Sequence, residues 1–432
     1  MPKMPSHWLT NASPVVFTAF ASLAGFATYF SMYAFRKPFA AASFDHVEGW
    51  HYALDFKIAI VLAQLIGYAA SKFIGIRVIA GMNRNYTAQA ILGLIGASWL
   101  ALIVFAVVPA IYKVPAMFIN GLCLGLIWGL VFSYMEGRRV TEILGAVLCA
   151  SFIVSSGAVK SVGILLIQLS HVPVFWMPAA TGLLFVPLLL VSVWGLSILS
   201  PPSPADEAAR VKRAPMTGKE VGAFLRDYWL GLTLLVIVYV FITALRDFRD
   251  NFAAELWTAL GYSDPAAVFT TTELVVAFVA LLAMAVVVVV KNNVRALAVI
   301  HALILAGLLL LGGSTLAFDA GHISPLVWMI ASGAGLYVVY TPFNAMLFDR
   351  MVAVSGRVAN AGFLIYVADA SGYAGSIALL LWRNFGVTHM EWLTVFRLAI
   401  YSTTIVGLVL VTLSLFYFMG RARTSAAVPA AA

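Results

Sequence analysis

Residues 36–41 read RKPFAA and residues 249–254 read RDNFAA. Four of the six positions are identical, and the copies stand 213 residues apart in a chain of 432. Each copy falls late in the first of a run of six apolar stretches. That placement gives the match a weight that an Ala-rich hexapeptide alone would lack. Duplicated halves of six spans each are one known plan for a polytopic membrane protein.

The stretches themselves follow from composition. Hydrophobic residues make up 62% of the chain and charged residues only 10%, far outside the balance of a soluble domain. A span needs about 20 apolar residues. Twelve segments qualify, near 14–40, 55–80, 87–109, 112–134, 142–170, 174–199, 228–256, 266–290, 294–317, 325–348, 358–383 and 392–419. The chain is therefore expected to be an all-α integral membrane protein. Its twelve transmembrane helices would form two six-helix bundles, 1–199 and 228–432. Between the bundles, Ser200 to Glu220 reads SPPSPADEAARVKRAPMTGKE. Its prolines and charges exclude it from the bilayer, and a cytoplasmic linker is expected over 200–227. Ala40, Ala41 and Ala42 imitate a signal-peptide cleavage site, but the preceding apolar run is too long for one, so a retained first span is expected. Cys123 and Cys149 fall inside apolar spans and offer neither a disulfide framework nor metal-ligand spacing.

Cation placement gives the orientation. With the N-terminus inside, sixteen of the 26 Lys and Arg lie on inner segments and four on outer ones, Lys57, Lys113, Arg383 and Arg397. The positive-inside rule then puts both termini in the cytoplasm, and the basic pI of about 9.4 reflects cytoplasmic loops rather than nucleic-acid binding. The remaining six cations, Arg36, Lys37, Lys72, Lys160, Arg246 and Arg249, lie within spans, where function is to be sought.

At about 1.5 Å per residue, Arg36 is roughly 33 Å along a helix from Pro14, Lys160 roughly 27 Å from Glu142, and Arg246 roughly 27 Å from Tyr228. These three share a level at or outside the bilayer middle, and Lys72 reaches toward them on its flexible stem. Pro38 removes a backbone donor and crowds the preceding turn, so a kink or unwound turn is expected beside Arg36. A plain helix end with Arg36 and Lys37 snorkelling to headgroups is the alternative. In the first half the four cations have no acid in their own spans beyond the span ends. Each costs about 2.5–3.5 kcal/mol at the bilayer centre, which points to an anionic ligand; a guanidinium grips phosphate or carboxylate with two parallel hydrogen bonds. In the second half Arg246, Asp247, Arg249 and Asp250 alternate in sign within one turn. Arg246 and Asp250, four apart, can pair, so an internal ion-pair network competes with a substrate role. Glu273 and Asp369 are the other membrane acids, each a candidate proton carrier or a buried partner of a neighbouring Lys or Tyr. Asn120 and the Gly121, Gly125, Gly129 spacing mark a close-packed fourth span. Tyr337, Tyr340, Thr341, Pro342 and Asn344 mark a bent, polar tenth span.

The chain resembles the major facilitator superfamily over nearly its whole length, and within it the organophosphate:phosphate antiporters. Their first helix carries Tyr-x-x-Arg-Lys-x-Phe, matched by Tyr33, Arg36, Lys37 and Phe39. Their second carries Tyr-x-x-Ser-Lys-Phe and then a glycine, matched by Tyr68, Ser71, Lys72, Phe73 and Gly75. Their seventh carries Leu-Arg, matched by Leu245 and Arg246. The resemblance implies that Arg36 and Arg246 hold a substrate phosphate and that Lys72 assists. The internal repeat points instead to Arg249 as the counterpart of Arg36, and the sequence leaves that choice open. The chain departs from those antiporters after the second helix, where GIRVIAGMNRN lacks their Asp-Arg pair, and in the fifth, where Val154 stands near a histidine position. The wording LRDFRDNFAAELW and SMYAFRKPF is also similar to a bacterial membrane family known only as a domain of unknown function.

The expected function is secondary active transport of a small anionic, phosphorylated solute by alternating access, with no cofactor, no metal and no nucleic-acid partner. The substrate-binding set would be Arg36, Lys72, Arg246, Arg249, Lys160, Tyr33, Tyr340 and Asn344, with Asp369 and Glu273 as proton-coupling candidates. A monomer in the bacterial inner membrane is expected. Proton-coupled symport of a carboxylate or peptide-like solute, and a sensor on the same fold, are the alternatives. No nucleotide-binding motif is present for a pump. The seven scattered histidines and the lack of an acidic pair on an inner loop argue against an enzyme.

Overall fold

The computed structural model describes residues 9, 12–81, 84–202, 206, 218–262, 265–355, 361–387 and 389–427. Lys3, Arg210, Lys212, Arg213, Arg357 and most of the expected linker lie outside the described residues. Within them every regular element is helical. Among the described residues eleven helices are long and apolar enough to cross a membrane, and a bent pair makes up to twelve spans.

The first span is α1, Pro14–Tyr33, followed by an irregular turn and a 3-10 turn at Pro38–Ala41. It does not run helical to residue 40. Pro38 is the cause, since its missing N–H and its ring end the α-helical ladder before it. α2 spans Phe56–Gly81 and α3 Arg84–Val107. The fourth span is α4, Ala110–Leu124, continued by α5, Ile127–Ser133; the fifth is α6, Thr141–Ser170. The sixth is not one helix. It is α7, Met177–Leu184, and α8, Val186–Ser197, bent by 47° where Pro187 enters the first turn of α8. α9 spans Gly218–Asn251 and α10 Ala253–Ala259. Then come α11 (Pro265–Val288), α12 (Asn293–Asp319), α13 (Pro325–Ala345), α14 (Leu347–Ser355), α15 (Ala361–Leu381) and α16 (Trp392–Ala427). The first spans of both halves break at the repeated hexapeptide, α1 before Pro38 and α9 at Phe252.

Two compact units emerge from the packing, and their limits are not the sequence halves. One comprises residues 1–208, 247–274 and 377–393; the other comprises 209–246, 275–376 and 394–432. In the first unit α2 packs on α4, α3 on α4, and α1 on α6 and α8. In the second, α12 packs on α13. Large apolar side chains such as Phe278, Leu309, Ile405 and Phe416 stay exposed, as lipid-facing residues do.

Glycines set the closest helix contacts. A Cβ on Gly67 would stand 2.1 Å from the Phe118 carbonyl oxygen, and one on Gly121 2.1 Å from that of Gln64. The α2–α4 crossing is therefore nearly backbone on backbone, the geometry small residues permit in membranes. Gly67→Ala is expected to cost about 1–3 kcal/mol, because the facing atom is backbone and cannot yield. Gly93→Ala, with nothing within 4 Å, should be neutral or stabilising by up to about 1 kcal/mol. Thermal melts of the two variants in detergent check the contrast.

Candidate functional site

The unwound turn after α1 exposes carbonyls that no helix satisfies, and polar side chains from α2 and α4 take them. Asn120 Nδ2 donates to the Phe35 oxygen at 3.0 Å and to Ser98 Oγ at 2.7 Å. Gln64 Nε2 donates to the Arg36 oxygen at 3.0 Å and to Asn120 Oδ1 at 2.8 Å. Gln64, Ser98 and Asn120 are all buried. The turn is thus held from two sides, and Arg36 projects from it.

The Arg36 guanidinium lies 3.9 Å from the centre of the Tyr68 ring and 5.6 Å from that of Tyr33. Lys72 approaches the same Tyr68 ring at 5.3 Å and Trp128 at 5.7 Å. Tyr29 and Tyr68 hydroxyls stand 3.4 Å apart. Arg36 is 3% exposed and Lys72 8%. A cation on the turn after α1 and another on α2 therefore lie near one aromatic ring, whose quadrupole attracts each.

Lys37 does not snorkel. It is 1% exposed, and its ammonium pairs with Asp250 Oδ2 at 2.5 Å and donates to Asn251 Oδ1 at 2.8 Å. Lys160 pairs with Asp250 Oδ1 at 2.6 Å. Ser156 also donates to that oxygen. The excess of first-half cations is thus reduced by an acid from the second half. Lys57, expected on an outer loop, is buried and paired with Glu255. Lys113, also expected there, is buried and donates to the Phe105 carbonyl at 2.6 Å, capping α3. Arg249 pairs with Glu273 at 2.6 Å. That gives Glu273 a cationic partner and gives Arg249 a structural role the repeat alone did not foretell. All of these contacts lie within the first unit.

The second unit holds a different cluster. Tyr239 donates to Asp369 Oδ1 at 2.6 Å, Asn344 Nδ2 donates to the Tyr239 oxygen at 3.2 Å, and the Tyr239 and Tyr340 rings stack 5.5 Å apart. The Arg246 guanidinium lies over the Tyr340 ring at 4.3 Å. Asp369, Tyr340, Asn344 and Arg246, proposed from separate arguments, are joined here by Tyr239, which sequence reasoning did not single out. Gln64, Trp128 and Ser156 were missed as well. Asp250 was read only with Arg246. Its position in the repeat, opposite Lys37, was the available signal. Among the described residues no group of three metal-binding side chains is found.

Breaking the Arg249–Glu273 pair from one side should be costly. Arg249→Met leaves a buried carboxylate and is expected to destabilise by about 3–5 kcal/mol, most of it recovered in Arg249→Met with Glu273→Met. A thermal double-mutant cycle measures the coupling.

A protein-family profile described as a family of unknown function (DUF5690) matches residues 38–421. No curated protein matches the sequence. Among solved structures, that of a D-xylose-proton symporter superposes with a TM-score of 0.58 at 15% identity, over 93% of this chain and 96% of the other. The human organic anion transporter MFSD10 (TETRAN) superposes with a TM-score of 0.52 at 15% identity, over 93% of this chain and 100% of the other. The fold is that of the major facilitator transporters, as the sequence led one to expect.

Proposed function

The chain belongs to the DUF5690 family of unknown function, and from the site itself we propose that it is a secondary active transporter of a small anionic, phosphorylated solute. The observation that carries the reading is the convergence of Arg36 and Lys72 on the Tyr68 ring. Like charges side by side at membrane depth are costly, and an oxyanion between them offsets that cost. The guanidinium supplies a fork for two oxygens, the ammonium a point charge. The capped turn behind Arg36 holds the fork in place before the anion arrives, which lowers the ordering cost of binding. The organic anion transporter among the fold neighbours is consistent with this class.

Arg246 on Tyr340, in the second unit, is built in the same way, and we take it rather than Arg249, whose charge meets Glu273, as the anion-attracting arginine of its own unit. Obligatory exchange follows if the empty cationic site resists closure, so antiport is the proposed mode. A proton-coupled symporter is the second reading. It is favoured by the Asp369 carboxylate in the hydrogen bond from Tyr239, and by the symporter among the fold neighbours. Placement in a bacterial inner membrane as a monomer, with both termini in the cytoplasm, belongs to the same proposal.

Thermal shift of the purified protein against phosphate, glycerol phosphate, hexose phosphates, dicarboxylates and neutral sugars tests it. Phosphorylated compounds are expected to raise the melting temperature, by about 2.7 kcal/mol of stabilisation at a hundredfold excess over Kd. Arg36→Ala should weaken that binding about 30-fold, the loss of a charged hydrogen bond worth about 2 kcal/mol. Stabilisation by neutral or cationic solutes alone would overturn the anion reading. Asp369→Asn is the discriminating variant. In an antiporter it leaves phosphate exchange in proteoliposomes intact, whereas in a proton-coupled symporter it abolishes uptake driven by a pH gradient.

A further inference from the structure

Asp250 is held differently from Glu273 and Glu255 in the first unit. Glu273 is paired with Arg249 and Glu255 with Lys57. Asp250 is shared, one oxygen to Lys37 at 2.5 Å and the other to Lys160 at 2.6 Å. Ser156 donates to it too. Lys160 also reaches the Asp250 backbone oxygen at 2.5 Å. The Lys37 and Lys160 side chains are 2% and 4% exposed, that of Asp250 12%. Two ammonium groups and a hydroxyl, brought from the turn after α1 and from α6, thus converge on one carboxylate. Asp247, 2% exposed, is a further acid in the surroundings of Lys37.

The donor set is what an oxyanion site requires. The acid that fills it stands second from the end of α9, next to the Phe252 break. It also stands at the repeat position of Lys37, so the duplicated hexapeptides differ in charge where they meet. A Lys in one copy faces an Asp in the other.

We propose that Lys37, Lys160 and Ser156 form an oxyanion site, for the phosphate or carboxylate group of a solute, which the Asp250 side chain occupies in this conformation as an intramolecular stand-in. The incoming anion takes the place of Asp250, whose withdrawal releases the end of α9. The site keeps its cations neutralised while no solute is bound. It adjoins Arg36, the chain neighbour of Lys37, but takes different donors from the Arg36–Lys72 element.

Equilibrium binding of radiolabelled inorganic phosphate to the full-length purified protein, at fixed ionic strength, tests the proposal. Asp250→Asn removes the competing carboxylate and should bind phosphate about tenfold more tightly than the unaltered chain, within the usual range of coupling between competing states. Lys37→Met with Asp250→Asn should lose that gain. Glu255→Gln, which removes a carboxylate held by one lysine, should show none. An ion pair that merely holds helices together predicts a lower melting temperature for Asp250→Asn with unchanged phosphate affinity, and that result overturns the proposal. So does a gain that survives in the double variant or appears equally in Glu255→Gln. If Asp250→Asn does not fold in chloride, sulfate of matched ionic strength should restore it by filling the site; no recovery in sulfate overturns the proposal as well. Arg36→Ala with Asp250→Asn separates the two sites. If the gain persists there it belongs to Lys37 and Lys160, and if it vanishes with Arg36 the carboxylate masks the first site rather than a second.

Discussion

A carbonyl in the bilayer has no water to turn to, and each one left unmet costs several kcal/mol. That constraint governs the most informative part of this chain. Pro38 breaks the first span, and the break leaves the carbonyls of Phe35 and Arg36 without helical donors. Asn120 and Gln64 supply the donors; they are tied to each other, and Asn120 also to Ser98. The same α2–α4 crossing that lets these amides reach the turn is the one where Gly67 and Gly121 bring backbones together. Packing, hydrogen bonding and the presentation of Arg36 are thus one arrangement. A larger residue at either glycine would move the amides as well as the helices.

Charge is handled by two means in the same region. Lys37, Lys57, Lys160 and Arg249 meet acids directly. Arg36, Lys72 and Arg246 lie on aromatic faces. The first kind of contact balances charge in the protein itself. The second sets a cation against a ring quadrupole, a weaker contact than a carboxylate gives.

Much of this was legible in the sequence. The spans, the break at Pro38, the glycine packing of the fourth span and the pairing of the two hexapeptides all come from local pattern, because apolar length, proline and glycine act on their own neighbourhood. The bend in the sixth span was missed, although Pro187 was there to mark it. Partners across the chain were not legible. Asp250 is 213 residues from Lys37, and Glu255 is 198 residues from Lys57. No local rule connects them. Counting acids within the same span therefore overstated the excess of first-half cations, since the acids come from the other half. Lys57 and Lys113 were placed on loops because they lie at span ends. Their burial depends on a carboxylate and a helix C-terminus that only the tertiary structure brings near.

The choice between Arg246 and Arg249 shows how three residues can separate two roles. On one helix they lie on nearly the same face, and neither repeat position nor resemblance decides between them. The boundary between the compact units falls between them, after Arg246. Arg249 goes with the first unit and finds Glu273. Arg246 goes with the second and finds the face of Tyr340, next to Tyr239 and Asp369. The guanidinium-on-tyrosine build of Arg246 repeats that of Arg36 on Tyr68, at 4.3 and 3.9 Å. The strict repeat counterpart of Arg36 has kept its charge but not that surrounding. Between duplicated halves, then, residues at equivalent repeat positions can come to lie in different surroundings.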